Sequence, residues 1–495
     1  MRVTNKMMTN SMMYNINKNK NNLSLLDEQY STGKKIQRPS QDPIIAVRAL
    51  KLRTNLSELN QYYEKNIPDA KSWMDVTESA LTNINDILTS INSSCVQGSN
   101  DPLTEADRTS IVKNLVEYKK QIYQEGDANY AGRYVFTGYK TDTSLIFDNE
   151  TVNLNYKITE KLTGSNIESI SKVTGEYSLS DYDATTPTSN DFSDAPTLVN
   201  SHRLRLSYNN LDNTDITINI GGVPTTYTVN RVSASSTTVD PYNPPANEIN
   251  FIPETGEIIL GDTVYNAYKL EGDISVTYEK TKFIEGDLRP EHYFDCDVKD
   301  ITHPSYPTNP AIEYRVADQP IEYEINFNQK LKINTQGKDA LKHSIGRVID
   351  EILQSVQDVK ATEDKISEVK KMLEDPNVTA DQTTSLNELL GQLNTELVLK
   401  NKLMQDKFEQ GIEGSSKYQD TLNVAIADLG SRYVRLELTE SRLSSQQVQF
   451  EDLMSNNEDV DMVDTVIRYN SAETIYNASL SAASKVVKNT LLDFL

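Results

Sequence analysis

The 495-residue chain is 37% apolar and 24% charged, the balance of a soluble protein with about two to four domains and a lean core. Its net charge of −23 argues against a nucleic-acid binder, because phosphate would be repelled. Two cysteines, Cys95 and Cys296, exclude a multi-bridge disulfide scaffold and a four-thiolate zinc site, and no stretch approaches the roughly 18 apolar residues of a membrane-spanning helix.

The first ten residues show no apolar run followed by a small-residue cleavage site, so no ordinary secretory signal is visible. A thin helical seam follows: Met8, Met12, Ile16, (Asn19), Leu23, Leu26 and Tyr30. Five of the ten methionines fall within the first thirteen residues, and methionine adapts to irregular partner surfaces. A segment this weak is not expected to fold without a partner face.

Asp42-Pro43 is a helix-start signal, a capping acid followed by proline in the first turn. From Ile45 the seam runs Ala49, Leu52, Leu56, Leu59, Tyr63, Ile67, Ala70, Met74, (Thr77), Leu81, Ile84, Leu88, Ile91 and Cys95. Its spacings alternate four and three, apart from a repeated four at Tyr63–Ile67. That stutter, beside Pro68, predicts a local change of winding and a bend. The helix would be a rod roughly 75 Å long at about 1.5 Å per residue. Trp73 beside the seam and Cys95 on it read as packing residues. A second helix begins at Thr104, with Asp107 three residues on, and carries Ile111, Leu115, Tyr118 and Ile122.

The middle of the chain changes character. Residues 145–335 hold twelve of the seventeen prolines and thirteen of the twenty-six tyrosines, with 29 acidic against 14 basic residues. Ile216–Ile220 and Thr225–Val229 alternate around Gly221-Gly222, and Glu248–Ile252 and Glu257–Leu260 flank Thr255-Gly256. Both read as β-hairpins, and Ile274–Tyr278 reads as a further strand. Helical seams then return: Leu341 to Leu373, ending at Asp375-Pro376; Leu386 to Leu397; and Tyr418 to Leu453. After the polar break Ser455-Asn456-Asn457 comes a final seam of Met462, Val466, Tyr469, (Glu473), Tyr476, Leu480, Ala483, Val487, Leu491 and Phe494.

The expected fold is therefore mainly α with a β-rich insert: a long coiled-coil-like helical rod built from both chain ends, carrying an inserted surface β domain. The expected domains are 1–40 with 456–495 as a terminal helical pair, 41–144 with 336–455 as the long-helix rod, and 145–335 as the insert. Charge supports pairing of the ends, since residues 1–40 carry +5 and residues 451–495 carry −5. Exposed ion pairs contribute only about 0–1 kcal/mol each, so the apolar seams would supply most of the association. Two independent solvated tails are the plainer alternative.

The segment Leu25-Leu26 through Gln29-Tyr-Ser-Thr-Gly-Lys-Lys-Ile-Gln-Arg-Pro-Ser-Gln-Asp-Pro43 resembles the N-terminal linker of bacterial flagellins and their hook–filament junction relatives. Glu458-Asp-Val-Asp-Met-Val-Asp464 through Ala472-Glu-Thr, closing on Leu491-Leu-Asp-Phe-Leu495, resembles the matching C-terminal helix. Arg2-Val-Thr-Asn-Lys-Met-Met8, Asn129-Tyr-Ala-Gly-Arg-Tyr-Val-Phe-Thr-Gly-Tyr-Lys140 and the closing Leu-Leu-Asp-Phe-Leu favour the junction branch over filament flagellin.

The resemblance implies a secreted structural subunit of the bacterial flagellum, placed at the hook–filament junction. Its implied partners are copies of itself in a ring-like assembly, flagellin, the first hook-associated protein, and the flagellar export chaperone and type III export apparatus. No nucleic acid, membrane insertion, cofactor, catalytic residue or metal ligand is implied. The expected assembly interface is Met8, Met12, Ile16, Leu23, Leu26, Tyr30, Met462, Val466, Tyr469, Tyr476, Leu480, Val487, Leu491 and Phe494. Arg38, Pro39, Ser40, Asp42 and Pro43 form the expected linker motif. Filament flagellin is the alternative within the family. Outside it stands an insert with glycan-binding or metal-dependent activity. Asp181-Tyr-Asp183 and Asp295-Cys-Asp297, near His292 and His303, could bind a cation, although solvated loops account for them more simply. The tyrosines of the insert read as core and sheet-face residues before they read as a glycan site.

Overall fold

The computed structural model of the chain describes residues 5–100, 104–236 and 239–488. Its helices are α1 (Asn5–Thr32), α2 (Pro43–Gln61), α3 (Ile67–Gly98), α4 (Glu105–Glu125), α5 (Asp262–Tyr268), α6 (Gly337–Ala340), α7 (His343–Glu374), α8 (Ala380–Glu458) and α9 (Met462–Lys488). The chain forms two compact units. One comprises Met1–Ala70, Tyr323–Leu331 and Val434–Leu495; the other comprises Lys71–Glu322 and Lys332–Tyr433.

In the first unit, Asp42 caps α2 by accepting hydrogen bonds from the Ile44 and Ile45 N–H groups (2.9 and 3.1 Å), with Pro43 as the first helical residue. The stutter between Tyr63 and Ile67 is a π-helical turn, Tyr62–Asn66, in which the Ile67 N–H donates to Tyr62 O. Pro68 explains its place. Proline has no N–H to give the ladder, and its ring needs room beside the preceding turn. The extra residue rotates Tyr62 inward, so Tyr62 is buried where the seam predicts Tyr63. Tyr62 meets Phe327 edge-on at 5.5 Å, and Asn66 Nδ2 donates to Glu324 O (2.8 Å). These contacts come from a hairpin, Glu322–Asn326 paired with Gln329–Lys332. Residues Tyr323–Leu331, expected inside the β-rich insert, thus fall in the first unit.

In the second unit, Met74, Leu81, Ile84, Leu88, Ile91 and Cys95 of α3 are fully buried, as the heptad predicts. Burial pushes the Cys95 thiol up to about 12. Trp73 is buried beside them. Thr104 and Asp107 form a reciprocal capping box at the start of α4. α7 stops at Glu374, before Asp375-Pro376. The two seams expected at 386–397 and 418–453 are one continuous helix of 79 residues. Its connecting seam is Lys400, Met404, Phe408, Gly411 and Ser415, all buried. A lysine, a glycine and a serine disguise it. Lys400 is buried because Nζ reaches Glu396 Oε1 (2.7 Å) and Glu176 Oε2 (2.9 Å). Gly411 is small because a Cβ there would lie 2.8 Å from both Cys95 Sγ and an Ile352 methyl. The break expected at Ser455-Asn456-Asn457 is still helical; the helix ends at Glu458.

The insert is a two-sheet sandwich. Strands β1 (Leu154–Leu162), β2 (Glu168–Thr174), β3 (Thr197–Arg205), β4 (Thr217–Ile220), β5 (Val223–Pro224), β6 (Thr228–Arg231), β7 (Glu248–Ile252), β8 (Glu257–Leu260), β9 (Ile274–Lys280), β10 (Asp295–Asp300) and β11 (Ile312–Tyr314) build it. One sheet has the order β2-β3-β8-β7-β6 and the other β11-β10-β1-β9-β4-β5. Tyr156, Ile158, Val276, Tyr278, Cys296 and Val298 of the larger sheet share a core with Leu204, Ile249, Phe251, Ile258 and Leu260 of the smaller. The Gly221-Gly222 hairpin is present, with both glycines at positive φ, but its second arm is short. Thr228–Arg231 crosses to the other sheet and pairs parallel with β7. The Thr255-Gly256 hairpin is present in the expected register. It is buried on both faces instead of displayed.

The second face of the smaller sheet buries Ile170, Ile252 and Ile259 under Tyr242 and, on the same face, a charge network. Arg203, almost wholly buried, binds Glu257, Glu168 (2.7 Å) and Glu351 of α7 (2.5 Å). Glu351 also takes Arg205 (2.6 Å) and Lys407 of α8 (2.9 Å). These cations hold the Glu351 carboxyl well below the usual range despite its burial. Its folded-state pKa is depressed, so its contribution is present above about pH 4.3 and is lost as the medium turns more acid. Glu351→Ala leaves Arg203 underpaired in the core and should cost about 3–5 kcal/mol in chemical unfolding at pH 7. The gap between variant and wild type should narrow below about pH 4; a gap that stays constant down the acid limb contradicts this assignment.

Candidate assembly site

The terminal helices α1 and α9 lie antiparallel against one another: Tyr30 stacks on Tyr469 at a ring separation of 6.0 Å, and Asn19 Nδ2 donates to Ser479 Oγ (3.0 Å). The less exposed face of α1 is Thr9, Met12, Ile16, Asn19, Leu23 and Leu26, with Ile16 and Leu26 buried. Met12, Ile16, Asn19, Leu23 and Leu26 are shared with the expected seam; Thr9 replaces Met8, which is exposed, and Tyr30 is exposed apart from its stack on Tyr469. The facing seam of α9 is Thr465, Tyr469, Ala472, Tyr476, Ser479 and Ala483. It is rotated from the expected one: Ala472 takes the place of Glu473, and Ser479 that of Leu480. Small residues at 465, 472 and 479 repeat every seven positions, a signal present in the sequence but hidden because none of them is strongly apolar. Asn19, the polar gap in the first seam, meets the polar position of the second.

The pair leaves much of its apolar surface in water. Met7, Met8, Met13, Tyr14 and Leu25 of α1 are exposed, as are Met462, Val463, Ile467, Ile475 and Leu480 of α9. Met7, Tyr14 and Leu25 lie on the side of α1 opposite its seam at helical period. Val466 is half-buried. The side chain of Val487, and Leu491 and Phe494, lie outside the described residues.

The linker motif fastens the pair. Gly33 ends α1 in the left-handed conformation (φ 71°) that glycine adopts without strain. Lys35 N–H then donates to Glu458 O (2.7 Å), and Val460 N–H donates to Gly33 O (2.9 Å). The Glu458 carboxylate is buried between Lys34 and Arg53, and Lys34 Nζ also binds Asp459. The Lys34 ammonium, with the Ser455 hydroxyl, holds the Asp459 carboxyl below the usual range. Arg38, Pro39 and Ser40 are exposed, and Gln41 Oε1 closes their turn by accepting from the Gln37 and Arg38 N–H groups (2.6 and 3.1 Å). They shape the linker. The sequence pattern gave Asp42 and Pro43 their roles but not the Glu458 latch, which joins residues more than 400 positions apart.

The insert's acidic clusters serve local structure. Asp183 accepts from the Thr185 and Thr186 hydroxyls (2.6 Å each), which hold its carboxyl down at about 2. Asp297 pairs with Arg315 (2.7 Å), and Asp295 accepts from Val316 N–H (2.8 Å). The Cys296 thiol points into the sandwich core, where burial pushes it up to about 12. Among the described residues, no group of three or more His, Cys, Asp or Glu side chains is placed to hold a metal ion.

Comparison with known proteins matches this architecture at both ends. Residues 3–141 match the bacterial flagellin N-terminal helical region, and residues 417–495 match the bacterial flagellin C-terminal helical region. Both ends of the chain are thus similar to the two helical regions of bacterial flagellins. Flagellar hook-associated protein 3 of Salmonella typhimurium is 30% identical over 145 residues, covering 29% of this chain and 45% of that protein. A flagellin of Clostridium tyrobutyricum is 33% identical over 120 residues, covering 24% and 32%. This chain thus spans under half the length of the curated relatives it matches. The crystal structure of FlgL from Xanthomonas campestris aligns at a TM-score of 0.31 and 11% identity, covering 83% of this chain and 99% of that one.

The Glu458 latch makes a specific demand on the first unit. Glu458→Ala removes the carboxylate that Arg53 binds and leaves Lys34 on Asp459 alone, and it should speed amide exchange several-fold across residues 33–40 and 456–461. Exchange in α3 and α7 should be unchanged. Hydrogen–deuterium exchange by mass spectrometry reads both, and unaltered exchange in the linker would show that the latch holds nothing.

Proposed function

We propose that this chain is a non-enzymatic structural subunit of the bacterial flagellum, the junction adaptor that joins the hook, through the first hook-associated protein, to the flagellin filament. In this reading it is secreted unfolded through the type III export apparatus, escorted by a flagellar chaperone. It then assembles with copies of itself in a ring-like layer between hook and filament. The observation that carries the reading is the composite terminal pair: two thinly apolar helices from opposite ends, latched through Glu458, with eleven exposed large apolar side chains among the described residues. Helices that bury so little of their surface gain order when neighbouring subunits cover the remainder. The relative named hook-associated protein 3 supports the junction position. A matching flagellin relative supports the second reading, that the chain is filament flagellin. The sandwich insert serves as an outward-facing surface with no chemistry assigned to it.

Deleting the gene in the native bacterium separates the two readings. Loss of a junction adaptor leaves hooks in place while flagellin is shed into the medium, whereas this chain as the main mass of sheared filaments would establish filament flagellin. Leu480 is exposed in the monomer, so Leu480→Asp should keep monomer stability within about 0.5 kcal/mol while failing to restore filaments in the deletion strain. Equal loss of monomer melting temperature and of assembly would contradict that division of labour.

A further inference from the structure

Within the second unit, the chain runs toward the insert through residues 135–139, and residues 316–319 and 336–337 of the returning chain lie beside them. The two segments are tied directly: Gly337 N–H donates to Phe136 O (2.7 Å), and Tyr139 N–H donates to Gln319 Oε1 (2.9 Å). Between them lies a small cavity lined by Gly138, Glu291, His292, Ala317, Gln319 and Gln336, with about 10 Å³ open to the centre of a water molecule. That is the size of a one-water site.

Three buried polar atoms on its lining residues have no partner within the protein: Glu291 Oε2, His292 Nε2 and Gln336 Nε2. The Glu291 side chain and Gln336 are each only 6% exposed. Leaving three such atoms unsatisfied would cost far more than immobilising one solvent molecule. Their chemistry is complementary to a single ligand. A carboxylate oxygen only accepts and an amide nitrogen only donates. The Ser144 backbone favours a proton on the His292 ring, and with Nε2 unpartnered that proton is assigned to Nδ1. Burial, with Lys140 and Arg289 nearby, pushes this imidazole down to about 4. The ring is neutral, and Nε2 is a bare acceptor. The site therefore requires a ligand that accepts one hydrogen bond and donates two. Water does so, whereas a metal cation would face the Gln336 N–H.

We propose that this cavity is a binding site for one long-lived structural water, which accepts from Gln336 Nε2 and donates to Glu291 Oε2 and His292 Nε2. It clasps the outgoing and returning segments at the root of the insert. Oxygen-17 magnetic relaxation dispersion on the full chain counts such waters. Gln336→Met should remove one of them and lower the melting temperature by about 1–4 °C, with the helical circular dichroism unchanged. An unchanged count overturns the proposal. If the variant fails to fold, the wild-type chain decides. A crystal structure with one oxygen peak in hydrogen-bond reach of all three atoms supports the site. A dry cavity there, or a stoichiometric metal ion found by elemental analysis and placed there by anomalous scattering, overturns it.

Discussion

The contact between α1 and α9 governs the rest, because it closes the chain on itself with little apolar surface to spend. Each helix presents a heptad face to the other, but small and polar residues interrupt it: Thr9 and Asn19 on one side, Thr465, Ala472 and Ser479 on the other. Such a seam supports close approach of two helices and provides weak drive. Opposite net charge, the Glu458 carboxylate between two cations, and a short backbone bridge at Gly33–Lys35 add direction and register. The outer apolar residues contribute nothing until other surfaces cover them. A helical pair with few buried apolar contacts sits at the low-stability end of a fold, and a filament-forming element can use that property.

The second unit has the opposite construction. Its helices bury a heptad seam that is mostly apolar, and Gly411 allows three helices to converge at Cys95 and Ile352. Its sandwich is fastened to α7 and α8 by the Arg203–Glu351–Lys407 network. Such a network adds less net stability than its short distances suggest, since removing the ions from water is expensive. It does fix which face of the smaller sheet meets which helix, because any other placement buries unpaired charge. The chain thus separates a body with an extensively buried core from a terminal pair that buries little apolar surface.

Much of this was legible from residue spacing. The heptad through Met74, Leu81 and Leu88, the capping acid Asp42 and the Thr104–Asp107 box are local patterns, and each stands where the sequence puts it. The stutter at Tyr63–Ile67 marked the π turn, although not that Tyr62 would become the buried ring; Phe327, far away in sequence, decides that. On α9, Tyr469, Tyr476 and Ala483 stand where their spacing predicts, but Thr465, Ala472 and Ser479 take the places between them instead of Val466, Glu473 and Leu480, because a closely packed pair selects for size over hydrophobicity. Continuity through Lys400, Gly411 and Ser415 was invisible for a similar reason: each is buried by a tertiary partner that no periodicity reveals. The Glu458 latch and the partition of the Tyr323–Leu331 hairpin rest on pairings across hundreds of residues, which spacing cannot encode.

The central claim is that the two extremities form one strap whose full ordering requires neighbouring subunits. Amide exchange protection of residues 5–32 and 462–488, compared between the free chain and the same chain polymerised, tests it most directly. The account predicts weak protection in the free chain, well below that of α3 and α7, and protection rising to the level of those helices on assembly. Terminal helices as protected in the free monomer as α3 and α7, with no change on assembly, would contradict it.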